Sequence, residues 1–548
     1  MRKITFLMLL AFVTLVSNAQ ISRYVKVTAT GAGNGTSWVD AAGTADIQTM
    51  IGQVAADANK GTVYFAAGTY SIAATIDIKN GVQMKGGYAA DGSGVRDLVV
   101  NQTILDGQNA RRILKASDSE NPAFSIVTVI DGFVLQRGSS SYGSAAVVSL
   151  GTVLENCIIR NNTGSTIGAA IFMKKNTAIP NTSPQNTYKN FKVSGALINC
   201  VIVNNSSSNV SAAVWAADDS HFSIVNCVIA NNKSTDATNG VGGIWFGNNI
   251  HYTQIQNTIF YNNSGAAANN IKTTSSALRV TLNNWFDNAT MPITLGAGSD
   301  NNKTSTDIAS PNFALSTGFQ GSTTDPIKIS ELEAADWRLK STSGLIGLGN
   351  STQGIKFPYE NMNASTVATP TRAFNTISTD IMGSNRTINT TVEMGAYEYN
   401  PIVVTTASAD INKGTVSANV TVSKGSSAAL VATPVSGYKF SKWNDGTSDV
   451  STSATYSFVP TADVTLTATF EVDLGTGVNN VTNNRFVVVN NKKLTIAETG
   501  QLLVYNATGK LVVDKYIVGE TVSVEKTGVY FVKLRTESGV RTQKVLVD

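Results

Sequence analysis

Hydrophobic and polar residues alternate in short bursts through the middle of the chain, and asparagine closes each burst at both ends. Asn156-Cys157-Ile158-Ile159-Arg160-Asn161-Asn162 is the first full copy. Asn199-Cys200-Val201-Ile202-Val203-Asn204-Asn205 and Asn226-Cys227-Val228-Ile229-Ala230-Asn231-Asn232 follow. Asn257-Thr258-Ile259-Phe260-Tyr261-Asn262-Asn263 is a fourth, and Asn283-Asn284-Trp285-Phe286-Asp287-Asn288 a degraded fifth. Asp131-Gly132-Phe133-Val134-Leu135-Gln136 reads as an earlier copy. Spacings of 27 residues (Asn199 to Asn226) and 31 residues (Asn226 to Asn257) mark a stacked repeat. The period within each copy is that of a strand. One short strand per turn of a coil predicts a parallel β-helix.

Stacking explains the residue types. Coils lie about 4.8 Å apart, so equivalent residues sit over one another. Alternation sends Cys157, Cys200, Cys227 and Thr258 to the same face as Ile159, Ile202, Ile229 and Phe260. That face is expected to be the interior. Asparagine tolerates left-handed backbone angles, and its amide can bond the backbone and the asparagines above and below.

A second ladder runs through the same coils. Ser144-Ala145-Ala146-Val147-Val148, Gly168-Ala169-Ala170-Ile171-Phe172, Ser211-Ala212-Ala213-Val214-Trp215 and Gly242-Gly243-Ile244-Trp245 align as equivalents. With Ile171, Val214 and Ile244 inside, Phe172, Trp215 and Trp245 form an outward aromatic row. The plainer reading puts these rings inside, or under a loop. Such a loop is expected over residues 173–190, where the spacing from Asn156 to Asn199 stretches to 43 residues. A helix over 45–58, with Ile47, Ile51, Val54 and Ala55 on one side, is expected to cap the first coil.

Composition narrows the class. Arg2-Lys3, the apolar run from Ile4 to Val16 and Ser17-Asn18-Ala19 read as a secretory signal peptide over 1–19. No later run is long enough to span a bilayer as a helix. A net charge of +4 gives no case for nucleic acid. The three cysteines share one strand position, which predicts a buried thiol stack rather than disulfides. No metal or cofactor is expected.

Two stretches carry resemblances to known families. Gly35-Thr36-Ser37-Trp38, Gly61-Thr62-Val63-Tyr64-Phe65-Ala66-Ala67-Gly68-Thr69-Tyr70 and Met84-Lys85-Gly86-Gly87-Tyr88 resemble the opening of pectate-lyase-like right-handed β-helices. Asp336-Trp337-Arg338-Leu339, Gly347-Leu348-Gly349-Asn350, Asp380-Ile381-Met382-Gly383-Ser384-Asn385-Arg386 and Glu393-Met394-Gly395-Ala396-Tyr397-Glu398-Tyr399 resemble the closing segment of bacterial choice-of-anchor Q β-helix proteins. The β-helix is expected over residues 20–400.

Two further modules are expected beyond it. Gly437-Tyr438-Lys439-Phe440-Ser441-Lys442-Trp443-Asn444-Asp445-Gly446, Tyr456-Ser457-Phe458 and Leu466-Thr467-Ala468-Thr469-Phe470-Glu471 resemble the divergent internalin-type B-repeat. This places a small β module over 401–472, with Trp443 in its core, and a linker over 473–482. Leu502-Leu503-Val504-Tyr505-Asn506-Ala507-Thr508-Gly509-Lys510-Leu511-Val512, Thr527-Gly528-Val529-Tyr530-Phe531-Val532-Lys533-Leu534 and Gln543-Lys544-Val545-Leu546-Val547 are similar to the C-terminal sorting domain of type IX secretion substrates in the Bacteroidota. By that resemblance residues 483–548 form a β-sandwich read by the type IX machinery. The protein would then be secreted or held at the cell surface or outer membrane.

Candidate chemistry is sparse. Glycosidases need paired carboxylates. Lyases need a tuned base and a group that neutralises a uronate. Weak catalytic candidates are Asp218, Asp219, His221 and His251; a solvated turn and surface histidines are the bland alternative. Sugar rings stack their C–H faces on aromatic side chains, so Phe172, Trp215, Trp245 and Tyr252 are candidates to bind an extracellular glycan, with Lys174 and Lys175 beside them. The two lysines could pair with an acidic glycan, but simple solubilising charge is the plainer reading of them. Three functions stay open: a glycan-binding or adhesin-like surface protein, a polysaccharide lyase or hydrolase, and a structural spacer.

Overall fold

The computed structural model describes residues 20–116, 128–149, 151–168, 170–174, 195–218, 222–247, 253–273, 279–292, 301–350, 377–386, 392–423, 425–473 and 485–548. Up to residue 304 its long sheets are parallel and each coil contributes one strand to a sheet, as a parallel β-helix requires. Sheet 1 has nine strands, from Ile21–Val25 to Arg279–Leu282. Sheet 2 has nine, from Gly68–Ser71 to Lys303–Thr304, and sheet 3 seven, from Ile76–Ile78 to Ile271–Thr273. A small sheet 4 of four strands, which the sequence pattern did not predict, lies between sheets 2 and 3 along the chain. One coil runs from Thr152–Glu155 (sheet 1) through Ile158–Arg160 (sheet 2), Thr163–Gly168 (sheet 4) and Ile171–Met173 (sheet 3).

The interior follows the alternation. Leu105, Leu135, Ile159, Ile202, Ile229, Phe260 and Phe286 stack in register through sheet 2, all fully buried. Cys157, Cys200 and Cys227 are free thiols buried beside them. Burial pushes the Cys157 and Cys200 thiols well above their ordinary range, so they act as small apolar residues. Helix α1 (Ile47–Ala56) buries Ile47, Met50, Ile51 and Val54 on the first coils.

The two asparagines of each pair divide the work. The first takes the left-handed conformation, as does the single asparagine at the other end of the strand. Asn156, Asn161, Asn199, Asn204, Asn226, Asn231, Asn257, Asn262 and Asn283 all have φ between 49° and 55°. Few side chains other than asparagine accept that geometry cheaply. The second asparagine turns inward. Asn162 Nδ2 donates to Asn205 Oδ1 (2.9 Å), Asn205 to Asn232 (2.9 Å), Asn232 to Asn263 (3.0 Å) and Asn263 to Asn270 (3.0 Å). Each amide also donates to a buried carbonyl, as Asn205 does to Ile159 O and Asn232 to Ile202 O. The last donor, Asn270, meets the Asp287 carboxylate, whose pKa burial pushes up.

A second ladder runs the other way at the sheet 1–sheet 2 corner. Asn257 donates to Asn226, Asn226 to Asn199, Asn199 to Asn156, and Asn156 to Asp131, which pairs with Arg96 at 2.9 Å. Each row of aligned amides therefore points its donor end at a carboxylate, the arrangement that favours the dipoles.

The outer face of sheet 2 is also apolar. Val201, Val203, Val228, Ala230, Ile259 and Trp285 point away from the interior, yet none exceeds 1 % exposure. Described residues of 308–350, 377–386 and 392–396 supply the cover, burying Phe313, Leu332, Trp337, Leu339, Leu345, Ile381, Met394 and Ala396 against them. The left-handed asparagines hold that cover down. Their side chains bond Thr379 O from Asn199, Phe319 O from Asn204, Thr317 from Asn231, Asn350 O from Asn257 and Leu348 O from Asn283. Arg386, 2 % exposed, pairs with Glu398 and donates to Asn199 Oδ1 at 2.8 Å and Gly395 O at 2.7 Å. Asp380 accepts from Met382 N, Ser384 N and Glu398 N. The closing motif is thus a clasp on the asparagine ladder. Helix α2 (Pro326–Ala334), another element not anticipated, belongs to the cover; Asp325 caps it and Pro326 opens it.

Most of residues 405–548 form a second compact unit. Within it, the strands Tyr438–Asn444 and Val464–Val472 pair antiparallel, and Trp443 is fully buried between Phe440 and other core residues. Strands Val487–Asn490, Lys493–Asn506, Leu511–Ser523, Gly528–Thr536 and Gly539–Val547 form an antiparallel module around Leu494, Ile496, Leu502, Val504, Ile517, Val532 and Leu534. No helix among the described residues is long and apolar enough to cross a membrane.

Candidate ligand-binding face

Each strand of sheet 3 has three residues, and only the middle one faces out. Ile171 and Met173, Val214 and Ala216, and Ile244 and Phe246 are fully buried, whereas Phe172, Trp215 and Trp245 are half-buried. The register stacks them directly: Phe172 on Trp215, Trp215 on Trp245, then Lys272. The rings therefore stand on the outer surface and not in the core.

The alignment of the preceding coil needs correction. Ala146, not Val147, pairs with Ile171, so Val147 lies under Phe172 and Val148 points inward. The corner from Tyr142 to Ala145 holds one residue more than that from Gly168 to Ala170, which shifts the strand by one. That corner turns at Gly143, with φ 54°. A Cβ there would sit 2.9 Å from the Val147 side chain and 3.0 Å from that of Phe172, so only glycine lets the corner close. Closure lays Tyr142 against Phe172, with ring centroids 5.0 Å apart, and helps bury Val147 to 2 % exposure.

The result is a strip of rings with a cation at each end. Arg112 sits 4.5 Å from the Tyr142 ring centre, Phe172 lies 5.1 Å from Trp215, and Lys272 Nζ lies 4.4 Å over Trp245. Such contacts fix ring orientation and add about 0.5–1 kcal/mol each. Tyr142, Arg112 and Lys272 were not singled out from the sequence. Lys272 was legible, since Asn270-Ile271-Lys272 repeats the corner-then-strand order one coil beyond Trp245. Tyr142 was not, because the extra corner residue hides its relation to Phe172.

The remaining candidates divide. Lys174 is half-buried at the end of the Phe172 strand, its N–H bonded to Val148 O at 2.8 Å. Asp218 is exposed just past the Trp215 strand, its carboxylate lying against Gly247 of the next coil. Asp219, His221, His251, Tyr252 and Lys175 lie outside the described residues. Among the described residues no group of three or more His, Cys, Asp or Glu side chains could hold a metal ion. What the face offers is stacking surface, with cations confined to its ends and its edge.

Residues 403–474 match the family of the divergent InlB B-repeat domain. No curated protein and no solved structure matches the chain significantly.

The half-buried rings predict a specific cost. Trp215→Ala and Trp245→Ala should each lose about 1–2 kcal/mol of unfolding free energy, the value of a cross-strand aromatic contact. Phe260→Ala, in the interior, should lose roughly 3–5 kcal/mol. Denaturant melts of the three variants check this, and tryptophan losses as large as that of Phe260 would make the strip part of the core.

Proposed function

We propose that the protein is a surface-displayed β-helix that binds a glycan on the outer face of sheet 3. The observation that carries this reading is the register: Phe172, Trp215 and Trp245 occupy the same outward position on three consecutive coils. Aromatic rings in line offer repeated stacking sites to a polymer of repeating sugars. A B-repeat module fits display on a secreted protein, and the clasp and ladders give the face a rigid base. The competing reading is a polysaccharide lyase or hydrolase, for which exposed Asp218 beside the strip is the one described candidate. The third is a spacer with no ligand.

Immobilised full-length protein, tested on a glycan array and on a panel of polysaccharides followed for chain cleavage, separates the three. Retention without cleavage is expected, and Trp215→Ala should weaken it by roughly 1–3 kcal/mol. Cleavage would favour the enzyme, and silence in both assays the spacer.

We extend the proposal to the layout of the chain. Residues 1–19 serve as a signal peptide, 20–400 form the β-helix, 401–472 the B-repeat module and 473–482 a linker. Residues 483–548 are a sorting domain for type IX export. Deleting 483–548 in a host with that system should strand the protein in the periplasm. Stacked coils contact only their neighbours, so the β-helix should stay folded there. Undiminished surface display of the truncated protein would overturn this assignment.

A further inference from the structure

We infer that the strip takes an uncharged, extended glycan laid along the helix axis, with one sugar residue per coil. This rests on the glycan-binding reading above and narrows it to a ligand class.

Geometry sets the direction. A ligand crossing the aromatic part of sheet 3 at right angles to the axis meets one outward side chain, because these strands are three residues long and their first and third residues are buried. A ligand running along the axis meets Tyr142, on the coil of the buried Val147, then Phe172, Trp215, Trp245 and Lys272, on five successive coils. The coils repeat every ~4.8 Å. An extended, equatorially linked chain such as a β-1,4-linked hexose or pentose polymer advances by a closely similar step per residue. It keeps successive ring faces over successive coils. An α-1,4-linked glucan curls away from a straight strip after a few residues.

Charge sets the class. Between Lys115 and Lys272 the column holds only Val147, Phe172, Trp215 and Trp245. Beside it, Lys174 follows the Phe172 strand on one coil and the exposed Asp218 follows the Trp215 strand on the next. Arg112 is committed to Tyr142 O, Gly143 O and Ser140 Oγ, at 2.8–3.2 Å. A polymer with a carboxylate on every residue would hold several of them over neutral rings with no matching cation among the described residues of the column. Losing their water there is costly. The indole N–H of Trp215 is buried without an acceptor among the described residues, so this ring offers its carbon face rather than a donor. Carbon faces suit the C–H side of a neutral sugar.

Calorimetric titration of the full chain tests this with defined oligosaccharides from dimers to octamers. Neutral β-1,4-linked gluco-, manno- and xylo-oligosaccharides are set against malto-oligosaccharides and oligogalacturonates. At least one neutral β-1,4 series should bind. Its affinity should rise with length up to about five sugars, one per coil, and then level off. Malto-oligosaccharides and oligogalacturonates should bind at least about tenfold more weakly, and Trp215→Ala should weaken the neutral series about tenfold where Trp215→Phe largely restores it. Preference for oligogalacturonates or malto-oligosaccharides, or affinity independent of length, overturns this inference and leaves the glycan platform standing. No binding to any series by protein with the native melting profile overturns both.

Discussion

The Asn205 side chain donates to Asn232 and Ile159 O and accepts from both the side chain and the backbone N–H of Asn162. Every hydrogen-bonding position of a buried amide is thereby filled, three by the coil before and one by the coil after. A buried amide left open would cost about 1–3 kcal/mol. Filled, it forbids slippage, because a shift of one residue would empty several such sites together. The ladder therefore fixes the register in a stack whose interior of Ile, Leu, Val and Cys is too uniform to fix it alone.

Other features of the coil follow from that constraint. The inward asparagine needs a partner before it in the left-handed conformation, and those residues carry the outward amides that dock the closing segment. The segment in turn buries the apolar outer face of sheet 2, which would otherwise be a large exposed patch. Arg386 joins the two levels through Asn199. The register held by the ladder is also the register of Phe172, Trp215 and Trp245. A binding strip needs its rings at a fixed interval, and here the interval is that of the coils.

Much of this was legible in the sequence, and the limits were physical. The strand period and the bounding asparagines gave the β-helix, the inner face of Cys and Ile, and the outward row, because each depends on residues within one coil. The motif ending in Arg386 and Glu398 was visible as a resemblance, but its role was not. Its partner Asn199 lies 187 residues away, and no local pattern encodes that contact. Helix α2 has weak apolar patterning and buries only Leu332, so its Asp-Pro start was the sole sign of it. The register at Val147 failed for a different reason: a one-residue insertion at a corner reverses inside and outside without changing composition. Of the candidate site, the aromatic row and the Lys272 end were readable, and the Arg112 end was not, since Arg112 and Tyr142 meet across coils.

The most direct test of the account is the unfolding free energy of Asn205→Ala. The substitution removes one amide and strands the Asn162 backbone N–H, one of the two donors to Asn205 Oδ1, and it takes a donor from the Ile159 carbonyl. If the ladder holds the stack, denaturant melts should show a loss of about 2–4 kcal/mol, and hydrogen exchange should quicken in the strands on either side. A stability within about 0.5 kcal/mol of the parent, with exchange unchanged, would show that apolar stacking alone sets the register and would contradict the account.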